Sequence, residues 1–178
     1  QNNLTSLDVT QNTALKELSC YGNQLTSLDV SKNTALTYLA CETNKLTSLD
    51  VSQNTALQEL YCDENQLTKL DLSKNEKLET LHYNNNQLTS LQADNCTNLG
   101  EIGYSGNEYS VQVYESTRVL NPSTLPGNFD ISRVGNLTGA IKNADGTMTV
   151  NPGVGKVTYE YRFLRDNYVP FTLNVEVI

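Results

Sequence analysis

The residues best suited to chemistry in this chain are one histidine, four cysteines and a group of carboxylates. His82 is the single conventional base, and Cys62 is a nucleophile that it could activate in a cysteine–histidine pair. Two carboxyl groups could also act together as the acid and base of a glycoside hydrolase. The candidates for that pair are Glu17, Glu42, Glu59 and Asp63. No G-x-S-x-G, H-E-x-x-H or phosphate-binding glycine loop occurs in the sequence, so catalysis would depend on these side chains meeting.

The spacing of the cysteines raises the question of metal or disulfide bonding. Cys20, Cys41 and Cys62 recur every 21 residues, and Tyr83 takes the next position of that row. Structural zinc needs a tetrahedral set of convergent ligands, which three sulfurs followed by a tyrosine do not supply. Neighbouring cysteines of the row could approach disulfide distance, but three cannot all pair. We therefore interpret them as reduced core residues, and Cys96 as a structural residue too.

Aspartates recur at the same spacing, at Asp8, Asp29, Asp50 and Asp71. Calcium would need roughly six to eight oxygen ligands. Each aspartate is followed two residues later by a serine or threonine, a pair that commonly shares a turn hydrogen bond. We interpret this row as turn residues and expect no cofactor or resident metal, although the sequence leaves calcium binding by the row open.

The spacing of 21 residues runs through residues 1–106. Asn23, Asn44, Asn65 and Asn86 form one row, and leucines form four others. One aligned unit reads L-x-x-L-x-C-x-x-N-x-L-T-S-L-D-V-S-x-N-T-A, and its first eleven positions match the leucine-rich repeat pattern. The repeat predicts a solenoid. Its first unit is partial and begins at Gln1, so we expect the chain to be a piece of a longer one.

Alternating apolar and polar residues predict one short strand in each repeat. In Leu18-Ser19-Cys20, the leucine and the cysteine point inward, and strands of successive repeats stack about 4.8 Å apart as a concave parallel sheet. Tyr104 should continue the inward row of cysteines. Cys62 then faces the core while His82 projects from the concave face, which excludes the catalytic pair. The carboxylates lie on an open sheet where no proton donor is desolvated, so we expect no enzyme.

The repeat unit resembles those of bacterial leucine-rich repeat proteins with short units, the class that includes the internalins. The resemblance rests on the motif N-x-L-T-S-L-D-V-S-x-N-T-A-L, which recurs along residues 1–106. The stretch from Leu125 to Val134 is similar to the start of the immunoglobulin-like modules that follow such repeats. The resemblance implies a curved solenoid, a secreted or cell-surface location and a role in binding.

We therefore predict a mainly β chain in two parts. Residues 1–107 form a leucine-rich repeat solenoid of about five repeats, whose units are too short for full helices on the convex side. Residues 108–178 lose the period and show alternating stretches between turn residues such as Pro126-Gly127 and Asp145-Gly146. This pattern predicts a small immunoglobulin-like β-sandwich that caps the last repeat.

The net charge of the chain limits the classes of partner that it can bind. The chain carries 12 basic and 20 acidic residues, a net charge of −8, which disfavours binding to nucleic acid. Residues 1–107 contribute −7 of that charge, because they hold 13 acidic and 6 basic residues. No apolar run is long enough for a membrane-spanning helix, so we expect no direct insertion into a membrane, and we expect a monomer.

The outward positions of the predicted strands form the candidate ligand-binding surface. Its residues are Tyr21, Tyr38, Glu42, Glu59, Tyr61, Asp63 and His82. Tyrosines beside carboxylates make good contact anchors, because an apolar ring carries a polar group. We expect a protein or peptide ligand of basic character, with a glycan stacked on Tyr38 and Tyr61 as a variant of the same hypothesis. The alternative is a structural spacer or stalk with no ligand on this part of the chain.

Overall fold

A five-stranded parallel sheet forms the first part of the molecule. The computed structural model describes residues 2–164 and 167–178, so Gln1, where the partial repeat begins, lies outside the described residues. The strands are β1 (Glu17–Ser19), β2 (Tyr38–Ala40), β3 (Glu59–Tyr61), β4 (Thr80–His82) and β5 (Glu101–Gly103). They pair in chain order, each residue lying beside the one 21 positions later. The predicted parallel repeat sheet is confirmed.

The core of the solenoid is built from rows of identical residues. The central residue of each strand points inward, and Leu39, Leu60 and Leu81 are completely buried. The cysteine row is buried as well and unpaired, and Tyr83 continues it with no exposed surface. The prediction for Tyr104 is wrong, because this side chain is 38% exposed. No further repeat stacks over it, so the row ends at Tyr83.

Asparagines bind the successive turns together. The Asn44 amide donates to the main-chain oxygens of Cys20 and Cys41 at 3.1 and 3.0 Å, and its oxygen accepts the Leu25 N–H at 3.0 Å. Asn65 and Asn86 make the same set of bonds one and two repeats later. Each buried side chain therefore satisfies main-chain groups of two repeats and fixes their register.

The return leg of each repeat runs from its ladder asparagine to the next strand and holds the aspartate row. Asp29, Asp50 and Asp71 each accept a hydrogen bond at 2.9 Å from the main-chain N–H two residues on, as predicted for turn residues. Near the end of the last return leg, Cys96 occupies a position that asparagine holds in the earlier repeats. Its sulfur lies 3.4 Å from the Asn75 main-chain oxygen, so it is structural, as predicted.

Seven strands in two sheets make up the second part. They are β6 (Glu108–Val113), β7 (Val119–Leu120), β8 (Val134–Thr138), β9 (Ala140–Lys142), β10 (Met148–Val150), β11 (Lys156–Leu164) and β12 (Asn167–Val177). One sheet has the order β6-β12-β11-β8 and the other β7-β10-β9. The β6–β12 pair is parallel and the other pairs are antiparallel. The described residues contain short 3-10 turns but no α-helix, and none of their helices could span a membrane.

The β module is attached to the return leg of the last repeat. The Tyr159 hydroxyl donates to the main-chain oxygen of Thr89 at 2.8 Å, and the Thr89 and Ser90 hydroxyls donate to the main-chain oxygens of Pro126 and Gly127, each at 2.9 Å. Both residues of this Thr-Ser pair are buried. The same pair two repeats earlier is exposed to solvent. The module therefore covers the last return leg.

Candidate functional site

The candidate site is the face of the repeat sheet that points away from the core, which we call the concave face. Its positions lie in three rows across the strands, because the register repeats every 21 residues. The first row is Glu17, Tyr38, Glu59, Thr80 and Glu101; the second is Ser19, Ala40, Tyr61, His82 and Gly103; the third is Tyr21, Glu42, Asp63, Asn84 and Ser105. Five of these positions are acidic and none is lysine or arginine. The face therefore carries a concentrated negative charge.

Three rings line up along the middle of this face. The Tyr38 and Tyr61 ring centroids are 5.6 Å apart, and those of Tyr61 and His82 are 5.0 Å apart in an edge-on arrangement. The Tyr61 hydroxyl donates to the Glu59 carboxylate at 3.0 Å, and His82 Nε2 lies 3.1 Å from Glu101 Oε1. The rings are half-buried and held by their neighbours, so they offer a partner pre-arranged aromatic surfaces.

Tyr38 and Tyr61 stay neutral over the physiological range, because the pKa of each phenol is raised. Desolvation, and then the hydrogen bond to Glu59, raises the pKa of Tyr61 to about 12. Desolvation also raises the pKa of Tyr38, with the nearby charge of Glu42 as the next cause. Each phenol is therefore available as a hydrogen-bond donor beside carboxylate acceptors.

Hydrogen bonds link residues of the third row, but within the described structure they do not reach the buried Oε2 of Glu42. Asp63 Oδ1 accepts from the main-chain N–H of Asn84 at 2.7 Å and also from its side-chain amide, and Asn84 Oδ1 accepts from the Ser105 N–H at 2.8 Å. Glu42 precedes Asp63 in the row, and among the described residues no donor reaches its buried Oε2. Desolvation accordingly raises the pKa of Glu42, with the Asp63 charge adding to it.

The predicted residues occupy one continuous surface. Tyr38, Glu59, Tyr61 and His82 contact one another through the rings and the hydroxyl, while Glu42 and Asp63 lie beside them in the third row. Tyr21 is in the same row but is 53% exposed at the edge of the sheet. Asn84 and Glu101 also lie on this face, although the sequence analysis did not select them. Asn84 follows Asp63 by one repeat and bonds to it, and Glu101 contacts His82 of the neighbouring strand.

The arrangement of the cysteines and the histidine does not produce a nucleophile. The Cys62 sulfur points into the core and donates to the main-chain oxygen of His82 at 3.3 Å, while the His82 ring lies on the opposite face. Burial raises the pKa of the Cys41 and Cys62 thiols well above its ordinary value, so both stay protonated. In the described part of the chain, no three histidine, cysteine or carboxylate side chains are placed to hold a metal ion.

Comparison with known structures places the fold among bacterial leucine-rich repeat proteins. The functional domain of InlJ from Listeria monocytogenes, described as including a cysteine ladder, matches over 99% of this chain and 60% of its own, with 19% identity and a TM-score of 0.58. The internalin InlF of L. monocytogenes strain 4b F2365 is 28% identical over 60% of this chain and 33% of its own, with a TM-score of 0.55. InlP of the same species matches over 92% of this chain and 53% of its own, at 21% identity and a TM-score of 0.56.

No protein-family model and no curated protein sequence matches the chain. It spans less than two thirds of the length of each of the three solved chains. The likeness is carried by the parallel repeat sheet and by the β module after it, so the resemblance inferred from the repeat motif is confirmed at the level of the fold. The chain is an internalin-like leucine-rich repeat protein in its fold, with a carboxy-terminal β module.

Proposed function

We propose that this chain is a protein-interaction module that binds a basic segment of a protein or peptide on its concave face. The observation that carries the proposal is the aromatic line of Tyr38, Tyr61 and His82, bordered by carboxylates on both sides. A lysine or arginine over a tyrosine ring gains cation–π energy, and a carboxylate within reach adds a charge-assisted hydrogen bond. A basic segment laid across the strands would make both kinds of contact.

The charge distribution supports the choice of a basic partner. Glu17, Glu42, Glu59, Asp63 and Glu101 all lie among the fifteen outward positions, which hold no permanent cation. Like charges gathered on one face repel each other, so this face binds a cation more favourably than the rest of the molecule does. Binding should therefore weaken as salt screens the interaction.

We further propose that the chain acts outside the bacterial cell, secreted or on the cell surface, as two modules at residues 1–107 and 108–178. The fold shared with the internalins supports the location. The break in repeat spacing after Asn107 supports the boundary, because β6 starts at Glu108 and pairs with the last strand of the β module. The repeats would then carry the ligand site, while the module covers their last return leg.

A binding screen tests this proposal. The purified chain is screened at low and physiological salt against extracellular proteins, basic peptides and a glycan array. The Tyr38→Ser/Tyr61→Ser variant removes both rings from the concave face. Tyr114→Ser/Tyr168→Ser is the matched control, because it removes two exposed tyrosines from the β module.

We expect a basic protein or peptide to bind the parent and the control, and to bind the concave variant at least tenfold more weakly. Loss of one well-placed aromatic contact typically costs about 1–2 kcal/mol, so two make that change measurable. Binding that survives in the concave variant would place the site elsewhere. A screen with no ligand at all would favour the spacer function.

A further inference from the structure

A second open site lies where the β module meets the return legs, away from the concave face. The loop that carries Pro126 and Gly127 packs beside the return legs and, together with residues from three of them, lines a groove of about 1070 Å³. This volume lies just above the range of about 300–1000 Å³ in which proteins hold small ligands. The groove exists only because the module is attached, since its walls belong to both parts of the chain.

One wall of the groove carries two carboxylates of the aspartate row. Asp50 and Asp71 each use Oδ1 for the turn hydrogen bond to the serine two residues on. Their second oxygens are not needed by the turn. Asp29 makes the same turn bond but does not line the groove. Lys69 also lines the groove and carries a charge opposite to that of the two aspartates.

The remaining surface combines amides, hydroxyls and one aromatic ring. Gln92 lies on the last return leg, while Ser123 and Asn128 come from the module loop. Phe129 is half-buried, and its ring is fixed by Tyr159 and Tyr161 at centroid distances of 5.5 and 5.3 Å. The groove therefore offers an immobilised ring surrounded by groups that donate and accept hydrogen bonds.

We propose that this groove binds a neutral, hydroxyl-rich ligand, namely a short oligosaccharide. A sugar hydroxyl both donates and accepts, which suits a wall that mixes carboxylate acceptors with amide and hydroxyl groups of both kinds. The apolar face of a pyranose ring packs on an aromatic side chain such as Phe129. The size of the groove favours several linked sugars over one. A strongly basic ligand fits less well, because Lys69 places a cation among the lining residues.

The matched residues of the aspartate row allow a controlled test. Saturation-transfer difference NMR is recorded with neutral oligosaccharides of about four to six sugars, as cello-, chito-, malto- and xylo-oligomers. The parent is compared with Asp50→Ala/Asp71→Ala and with Asp8→Ala/Asp29→Ala. Each pair loses two turn bonds from main-chain N–H groups, and the Asp8/Asp29 pair also loses the bond from the Thr10 hydroxyl; only the Asp50/Asp71 pair lines the groove. Circular dichroism of all three verifies that they are folded.

We expect at least one oligosaccharide series to show transfer to the parent and to the Asp8/Asp29 variant, and at least a tenfold loss in the Asp50/Asp71 variant. The Tyr38→Ser/Tyr61→Ser variant should keep full sugar binding, which separates this site from the proposed function of the concave face. Absence of transfer from all four series to the parent would overturn the proposal. So would equal loss in both aspartate variants, or displacement of the sugar by an acyclic peptide at equal concentration.

Discussion

The asparagine ladder sets the spacing of the concave rows, and its contribution to stability can be measured at one position. Asn65 lies in the middle repeat and is 7% exposed. Its oxygen accepts the buried Leu46 N–H at 2.9 Å, and its amide donates to the main-chain oxygens of Cys41, Cys62 and Asp63. Asn65→Ala removes all of these bonds while leaving the exposed surface unchanged.

The size of the stability loss depends on which buried groups lose their last hydrogen-bond partner. The three oxygens keep another donor, because Asn44 and Asn86 also bond to the Cys41 and Cys62 oxygens and Thr43 N–H bonds to Asp63 O. The Leu46 N–H has no second partner among the described residues and stays buried, which costs about 2 kcal/mol. With a smaller loss for each remaining bond, Asn65→Ala should lower the free energy of unfolding by roughly 3–4 kcal/mol.

The control is the same change at the edge of the solenoid. Asn23 also bonds to a main-chain N–H, that of Leu4, at 3.1 Å, but Leu4 is 45% exposed, so water can replace the bond. Asn23→Ala should therefore cost less than about 1 kcal/mol. Urea unfolding followed by far-ultraviolet circular dichroism measures both, with the slope of the free energy against urea checked for constancy. Equal losses in the two variants would refute the reasoning.

Three further outcomes are expected. Burial raises the pKa of Glu42, so its charged form destabilises the folded state; this penalty is absent below the unfolded-state pKa and full above the folded-state pKa. Glu42→Gln should therefore raise the melting temperature more at about pH 7 than at about pH 3.5. A larger increase at about pH 3.5 would contradict the assignment. Gly127→Ala should destabilise the attachment of the β module by about 1–2 kcal/mol, because φ is +78° there and the added carbon would lie 2.7 Å from Ser90 Oγ. An unchanged thermal transition would be evidence against this attachment. Cys41 and Cys62 should react with a maleimide only after unfolding, whereas rapid labelling of the native chain would contradict their burial.

The repeat made most of the solenoid predictable from the sequence. A fixed spacing of 21 residues places equivalent residues side by side, so the parallel pairing, the inward cysteines and the contact between Tyr61 and His82 all follow from one alignment. The prediction failed for Tyr104 because the alignment carries no information about where stacking stops. An inward position is buried only if another repeat covers it.

The attachment of the module could not be predicted in the same way. Thr89-Ser90 and Thr47-Ser48 have identical sequences at equivalent positions, but the first pair is buried and the second exposed. The difference comes from Pro126 and Gly127, which lie 37 residues later in the chain. The sequence pattern around Thr89 and Ser90 carries no information about a contact with residues so far along the chain. The groove beside this contact was not predicted for the same reason.

The claim that the concave face holds the partner is tested most directly by locating a basic ligand on the protein. A ¹⁵N-labelled sample is titrated with a peptide of alternating arginine and glycine, and the amide signals are followed by NMR. We expect saturable shifts concentrated at residues 38–42, 59–63 and 80–84, which added salt reduces and Tyr38→Ser/Tyr61→Ser abolishes. Shifts confined to the β module, or no shift at millimolar peptide, would contradict it.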